Sequence, residues 1–363
     1  MSLSALTRAA ARTSDLHVAE IEPLPSPAEL LDQLPADDTA LRRVARSREA
    51  VRAALLGTDD RLLVIVGPCS IHDTEAGLEY ARRLATVAQR LDDRLLVVMR
   101  TYFEKPRTTI GWKGLVNDPH LDGSHDIATG LHRAREFLRD VVDLGLPTAT
   151  EFLEPISPQY LADLISWGAI GARTAESQIH RQLASGLSMP IGFKNGTDGS
   201  LDVALDGCTA AGSAQSFLGI DPQGRAALVR TSGNPDTHVI LRGSSSGPNY
   251  SAAHVQAAAE RLRAAGMPAR VMVDASHGNS GKDHRRQAVV AHEIAEQVAA
   301  ERAAGAPVLA GVMLESFLVG GAQRLDPRPG HPALTYGQSV TDACLGWDTT
   351  VEVLEHLAAA VTR

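Results

Sequence analysis

The sequence predicts an α/β fold, a (β/α)8 barrel, on three observations. Eight short apolar runs, at 62–67, 95–99, 148–151, 169–173, 191–194, 239–242, 270–274 and 308–314, alternate with helical stretches. Aromatic residues are only 4% within a hydrophobic share of 44%, so the core has to be built from Ala, Val, Leu and Ile, which suits helices laid on buried parallel strands. No GxGxxG follows the first run, which argues against an open dinucleotide-binding sheet. A length of 363 residues holds one such barrel with appendages.

Residues 1–60 are expected to form an arm and helices ahead of a catalytic barrel that takes 61–363. The acid-free start, MSLSALTRAAARTS, reads as a disordered arm with a faint look of a targeting segment. Ser26-Pro27-Ala28-Glu29 is a capping box with Pro at the first helical position. Leu41, Val44, Val51 and Leu55 then keep helical spacing up to Gly57. After the first strand Asp73 can cap a helix whose stripe is Leu78, Ala81, Leu84, Ala88 and Leu91. One crossover is too long: 214–220 and 225–230 flank Asp221-Pro222-Gln223-Gly224, predicting a β-hairpin at about 213–231 inserted between strands five and six. Such a hairpin needs a surface to pack on, which a neighbouring subunit or a regulatory ligand would supply.

A net charge of −8 excludes the broad basic field of a nucleic-acid binder, so any anion site must gather its cations locally. Cys69, Cys208 and Cys344 are odd in number and far apart, which points to a reducing, cytoplasmic compartment rather than a disulfide framework. No run approaches the ~20 apolar residues of a membrane span.

A barrel presents its chemistry at the carboxyl ends of its strands. Here those positions hold Cys69, Arg100, Glu151, Arg173, Lys194, Arg242, His277 and Glu315. Several cations at one end of different strands make a site for a multiply charged small anion, since guanidinium binds phosphate and carboxylate in bidentate fashion. Lys105-Pro106-Arg107-Thr108-Thr109 adds further cations and hydroxyls, enough for anionic groups on two substrates. Cys69, His277, Glu315 and the later Asp342 are donor types that can hold a divalent transition metal; the alternative is a core thiol, a hydrogen-bonded histidine and surface carboxylates. His72 is taken as structural, and Cys208 and Cys344 as packing residues.

These runs resemble type I 3-deoxy-D-arabino-heptulosonate 7-phosphate (DAHP) synthase. The similarity lies in Gly67-Pro68-Cys69-Ser70, the segment from Arg100 to Thr108, the segment from Gly168 to Arg173, Gly192-Phe193-Lys194-Asn195-Gly196-Thr197, Leu241-Arg242-Gly243, Ser276-His277-Gly278-Asn279-Ser280 and Glu315-Ser316-Phe317. It runs in order from about residue 15 to 355. The resemblance implies condensation of phosphoenolpyruvate with erythrose 4-phosphate on a barrel that assembles as a dimer or tetramer. It implies a phosphoenolpyruvate site at Arg100, Lys105, Arg173, Lys194 and Arg242, with the backbone of Gly171 and Ala172, and an aldose phosphate clamp at Arg107 and Thr108. One divalent ion, Mn2+, Fe2+, Co2+ or Zn2+, would sit on Cys69, His277, Glu315 and Asp342, with Lys105, Cys69 and His277 closest to the chemistry. Gly278 departs from the alanine of many relatives.

The resemblance further implies an aromatic amino acid effector beside the hairpin, at Pro158, Gln159, Leu183, Leu187, Ser188, Phe217 and Gly219. Tyrosine-sensitive relatives tend to have glycine where phenylalanine-sensitive ones have serine, so Gly219 favours tyrosine by leaving room for the phenolic hydroxyl; the alternative is a glycine that relaxes the strand before the Asp221-Pro222 turn. Three competing readings are an octulosonate 8-phosphate synthase that takes arabinose 5-phosphate, a Schiff-base aldolase using Lys194, and a non-catalytic paralogue kept for its subunit contacts.

Overall fold

The computed structural model describes residues 13–326 and 333–361; the first twelve residues of the expected arm lie outside that range. Helix α1 (Pro27–Gln33) carries the expected capping box, in which Ser26 Oγ accepts from Glu29 N–H and the Glu29 carboxylate accepts from Ser26 N–H at 2.7 Å. Helix α2 (Asp38–Leu56) starts at an Asp37 cap and ends at Gly57, whose φ of 77° is the left-handed conformation that glycine tolerates.

Strand β1 (Leu62–Gly67), α3 (Thr74–Arg90), β2 (Leu95–Arg100), α4 (Ile127–Asp143), β3 (Thr148–Glu151), α5 (Pro158–Leu161), β4 (Trp167–Ile170), α6 (Gln178–Gly186), β5 (Ile191–Lys194) and α7 (Asp202–Ala211) build the first part of the barrel. The hairpin β6 (Ser216–Ile220) and β7 (Ala226–Arg230) follows, then β8 (Thr237–Leu241), α8 (Ala252–Ala264), β9 (Val271–Asp274), α9 (His277–Ser280), α10 (His284–Ala303), β10 (Leu309–Glu315) and α11 (Trp347–Ala360). The barrel closes in the order β1, β2, β3, β4, β5, β8, β9, β10, with β10 returning to β1 from Leu63 opposite Gly311 to Gly67 opposite Glu315. Every barrel pairing is parallel, as crossover helices require.

Side chains alternate across a strand, so each strand sends every second residue into the barrel. Leu63, Ile65, Leu96, Val98, Ala149, Trp167, Ala169, Ile240, Met272 and Met313 fill the interior. Val51, Ala54 and Leu55 of α2 join that cluster, which stoppers one mouth of the barrel. The intervening residues, such as Leu62, Val64 and Val66, pack outward under the helices.

Strand β4 departs from the expected 169–173. It ends at Ile170 because Thr174 and Ala175 N–H both turn back to Gly171 C=O at 3.0 Å, which takes that backbone out of the ladder. The hairpin is antiparallel with Leu218 opposite Leu228, and its tip docks on the chain's own α1, where Ala28 N–H donates to Pro222 C=O at 2.8 Å. Its outer leucines remain exposed. Among the described residues no helix is long and apolar enough to cross a membrane.

Candidate active site

The alternation that fills the barrel with apolar residues continues to the strand ends, where the next inward position is charged. Leu96 and Val98 lead to Arg100, Ala149 to Glu151, Gly192 to Lys194, Ile240 to Arg242, Met272 to Asp274 and Met313 to Glu315. Arg100, Glu151, Lys194, Asp274 and Glu315 are all buried. A layer of three cations and three acids therefore caps the hydrophobic interior, and above it opens a cavity of about 830 Å³.

Of the strand-end residues Arg173, Lys194, Arg242 and His277 line this cavity, together with Lys105, Arg107, Thr108, Gly171, Ala172 and Asp342. Cys69, Arg100 and Glu315 are buried behind the lining, in contact with it through Lys105 and His277. The cavity also takes in Glu151 and two cations the sequence does not single out, Lys282 and Arg286. A Cβ at Gly171 would come within 2.2 Å of Glu151 Oε1, so a side chain there would have to displace that carboxylate. At Gly278 the obstacle is backbone: a Cβ would lie 2.6 Å from Ser244 N, and the chain closes more tightly there than an alanine would permit.

Arg100 Nη2 donates to Glu315 Oε1 at 3.2 Å, and its guanidinium carbon lies 3.9 Å from the centre of the Tyr102 ring, a cation–π contact. Its Nη1 is buried with no hydrogen-bond partner among the described residues. Lys194 Nζ sits 2.8 Å from Asp274 Oδ2, and His277 Nδ1 approaches the same oxygen at 2.9 Å. Burial works against the Asp274 charge, yet Lys194 and His277 outweigh it and hold that carboxyl well below the usual range. Arg173 Nη1 donates to Pro106 C=O at 2.7 Å, joining the loop after β4 to the Lys105–Thr109 segment, and Arg107 Nε donates to Trp112 C=O at 2.7 Å.

The thiol and carboxylates converge as a metal centre would need. Ligand atoms of Cys69, Glu315 and Asp342 lie within 4.8 Å of one another. His277 stands at the edge of that group rather than in it, its Nε2 4.0 Å from Glu315 Oε1 and its Nδ1 engaged by Asp274, and its backbone φ of 55° is unusual for a non-glycine residue. Burial pushes the Cys69 thiol up, reinforced by Glu315 and opposed by Lys105, whose Nζ lies 3.1 Å from the sulfur. A divalent ion would reverse that balance, because its charge favours the thiolate. One soft sulfur, one imidazole and two carboxylates fit a borderline transition metal.

Sequence analysis misses Asp274, which orients both Lys194 and His277. Its signal was present as the inward residue ending the seventh barrel strand. It also misses a run of amides that locks three strand ends together. Asn195 Oδ1 accepts from Arg242 N–H at 2.8 Å, Asn249 Oδ1 accepts from Gly243 N–H at 2.7 Å, and Asn279 Oδ1 accepts from Asn249 N–H at 2.8 Å. His72 is buried edge-on against Phe317, and Cys208 and Cys344 are buried free thiols, in keeping with structural roles.

The expected effector residues fall on three elements: Pro158 and Gln159 on α5, Leu183 on α6 with Leu187 and Ser188 just beyond it, and Phe217 and Gly219 on β6. Gln159 Oε1 is buried without a partner. The groove at the hairpin tip is lined instead by residues including Ser26, Glu29, Ile156, Tyr160, Ile220 and Gln223, and holds none of those seven.

The family model described as the DAHP synthetase I family matches residues 39–355. The chain belongs to the DAHP synthetase I family. A Corynebacterium glutamicum relative named phospho-2-dehydro-3-deoxyheptonate aldolase is 55% identical over 356 residues, covering 97% of this chain and 95% of that protein. An Escherichia coli relative of the same name, designated Phe-sensitive, is 54% identical over 350 residues, covering 96% and 98%, and a Trp-sensitive one from the same organism is 50% identical. The solved structure of phospho-2-dehydro-3-deoxyheptonate aldolase from Francisella tularensis SCHU S4 superposes with a TM-score of 0.90 at 48% identity, covering 95% of this chain and 98% of that one. Within a DAHP synthetase I barrel the charged inward layer and the cavity above it therefore fall at the strand ends where such barrels carry their chemistry.

Proposed function

We propose that the protein condenses phosphoenolpyruvate with D-erythrose 4-phosphate to DAHP and phosphate, the first step of the shikimate pathway. The observation that carries this is the gathering of Lys105, Arg107, Arg173, Lys194 and Arg242 around one cavity in a chain of net charge −8, directly above the Cys69, Glu315 and Asp342 cluster.

Two anionic substrates repel each other, and the cations offset that repulsion while setting C3 of the enol against the aldehyde carbon. Arg173, Lys194, Arg242 and the unpartnered Arg100 Nη1 are the donors for phosphoenolpyruvate, and Arg107 with Thr108 for the aldose phosphate. Cys69, His277, Glu315 and Asp342 would hold one divalent ion, from the set Mn2+, Fe2+, Co2+ and Zn2+, whose chemistry is to polarise the aldehyde oxygen. Lys105 Nζ, beside the Cys69 sulfur, can hold or deliver a proton where that oxygen gains charge. Carbon C3 bonds to the aldehyde carbon, water adds at C2, and phosphate leaves with C–O cleavage. Engagement of Lys194 by Asp274 disfavours the Schiff-base reading, because a nucleophilic amine has to be free.

Tyrosine is the proposed effector, on the strength of Gly219. The exposed Leu218 and Leu228 of the hairpin, with Leu16 and Ile21 of the arm, support a homo-oligomer, dimer or tetramer, in which a second copy covers them. Three free buried cysteines favour a reducing cytoplasm. Purified protein supplied with both substrates and a divalent ion should release phosphate. The same assay with arabinose 5-phosphate should not, and phosphate release with arabinose 5-phosphate alone would transfer the assignment to the octulosonate reaction.

A further inference from the structure

We propose that Glu104 is a positioning residue that holds Arg107 and Thr108 over the cavity by anchoring the base of their segment to the turn after β3. This rests on reading Arg107 and Thr108 as the aldose phosphate clamp.

Glu104 is 3% exposed, yet it neither lines the cavity nor forms a salt bridge among the described residues. Both its oxygens are spent on one turn: Oε1 accepts from Glu154 N–H at 3.1 Å, and Oε2 accepts from Leu153 N–H at 3.4 Å and Ser157 Oγ–H at 3.1 Å. On the other side of the segment's base, Lys105 N–H donates to Lys113 C=O at 2.7 Å. The segment then runs out to exposed Arg107, Thr108 and Thr109, tied further along by Arg173 Nη1 to Pro106 C=O and by Arg107 Nε to Trp112 C=O, while Glu104 is the buried acid at its base. A buried acid at the base of an exposed stretch is the kind of support a binding loop needs, since a shift of about 1 Å in a positioned group is costly to catalysis.

The carboxyl is an expensive way to fill that space. Burial pushes it up to about 8 despite its three donors, with the neighbouring Glu154 adding to the rise. An apolar side chain would avoid that cost but would leave the turn's two N–H groups and one hydroxyl without an acceptor, and the segment without its anchor.

Steady-state kinetics of Glu104→Ala and Glu104→Gln, with each substrate varied in turn, tests the assignment. Lys105 of the phosphoenolpyruvate site is held separately, its Nζ lying 3.1 Å from both the Cys69 sulfur and the Cys69 C=O. Glu104→Ala should therefore raise KM for erythrose 4-phosphate by roughly tenfold, the scale of one lost buried acceptor, while phosphoenolpyruvate affinity measured by calorimetry without the aldose stays within about twofold. Glu104→Gln, which keeps the length and one acceptor oxygen, should fall between the wild type and the alanine variant. Ser157→Ala removes one donor and leaves the acid in place, so it should give a smaller shift in the same direction even where Glu104→Ala fails to fold. Equal weakening of both substrates, a fall in kcat alone, or a lowered melting temperature with unchanged KM values would each overturn the proposal. Failure of the wild type to use erythrose 4-phosphate would overturn the functional reading instead.

Discussion

Lys194 Nζ and Asp274 Oδ2 meet at 2.8 Å, although β5 and β9 are separated by β8 and the two residues by 80 positions. The same carboxylate is 2.9 Å from His277 Nδ1 and takes Ser276 N–H at 3.0 Å on its other oxygen. One buried acid thus aims a proposed phosphoenolpyruvate ligand and a proposed metal ligand together. Asp274→Asn should cost about 3 kcal/mol of stability in urea titration, as expected when a buried pair loses one partner, and lower kcat/KM by at least roughly tenfold. A wild-type kcat/KM in the asparagine variant would remove Asp274 from the machinery.

Chelator-treated protein should be inactive and regain activity with Mn2+, Fe2+ or Co2+, since a mixed sulfur, nitrogen and oxygen site accepts several borderline metals. Cys69→Ser should bind metal weakly and lose activity while its far-ultraviolet circular dichroism is unchanged. Full activity in protein that elemental analysis finds metal-free would defeat the assignment.

Arg173→Ala should weaken phosphoenolpyruvate, and Arg107→Ala the aldose phosphate, each by on the order of 1.5–3 kcal/mol for a lost charge-assisted hydrogen bond. Because Arg173 also holds Pro106 C=O, its loss should loosen the clamp and raise the aldose KM secondarily. Calorimetry showing that Arg107→Ala abolishes phosphoenolpyruvate binding in the absence of the second substrate would reverse the subsites.

His238 ties pH to stability. Its ring is buried in the barrel, Nε2 accepts from Trp167 Nε1–H at 3.2 Å, and burial pushes its pKa down to about 3. The unfolded chain binds the proton more readily, so this contribution is complete above pH ~6.5 and is lost on acidification toward pH ~3, at about 1.4 kcal/mol per pH unit. Denaturant titrations of His238→Gln, which keeps an acceptor for Trp167, should show a flatter slope between those limits. An unchanged slope would assign the acid sensitivity elsewhere.

Tyrosine should inhibit the wild type, and Gly219→Ser should shift the preference toward phenylalanine. An added Cβ at 219 would lie 2.7 Å from Val229 Cγ2, so the serine also has to push aside that methyl on the opposite strand of the hairpin. Assays with each aromatic amino acid decide the matter: inhibition by phenylalanine alone in the wild type, or an unaltered preference in the variant, would end the tyrosine reading.

The barrel and the identity of most cavity-lining side chains were legible in the sequence, because both follow from local rules. A buried parallel strand advertises itself as an apolar run, and its carboxyl end is the next few residues, so Arg100, Glu151, Lys194 and Glu315 could be picked out without coordinates. The hairpin was equally legible, since Asp221-Pro222-Gln223-Gly224 turns the chain whatever surrounds it. Which strand-end residues would meet was not. Arg100 and Glu315 are 215 positions apart, and they touch only because β10 returns to β1 and closes the circle. Asp274 was passed over because an acid at a strand end is unremarkable until closure points it at Lys194 and His277. Glu104 looked like one more charge in a polar segment, and the turn after β3 that buries it is contributed from about 50 residues away. Residue type and strand phase are local properties that the chain carries by itself, whereas partnership across a barrel depends on register and closure, which exist only when all eight strands are in place.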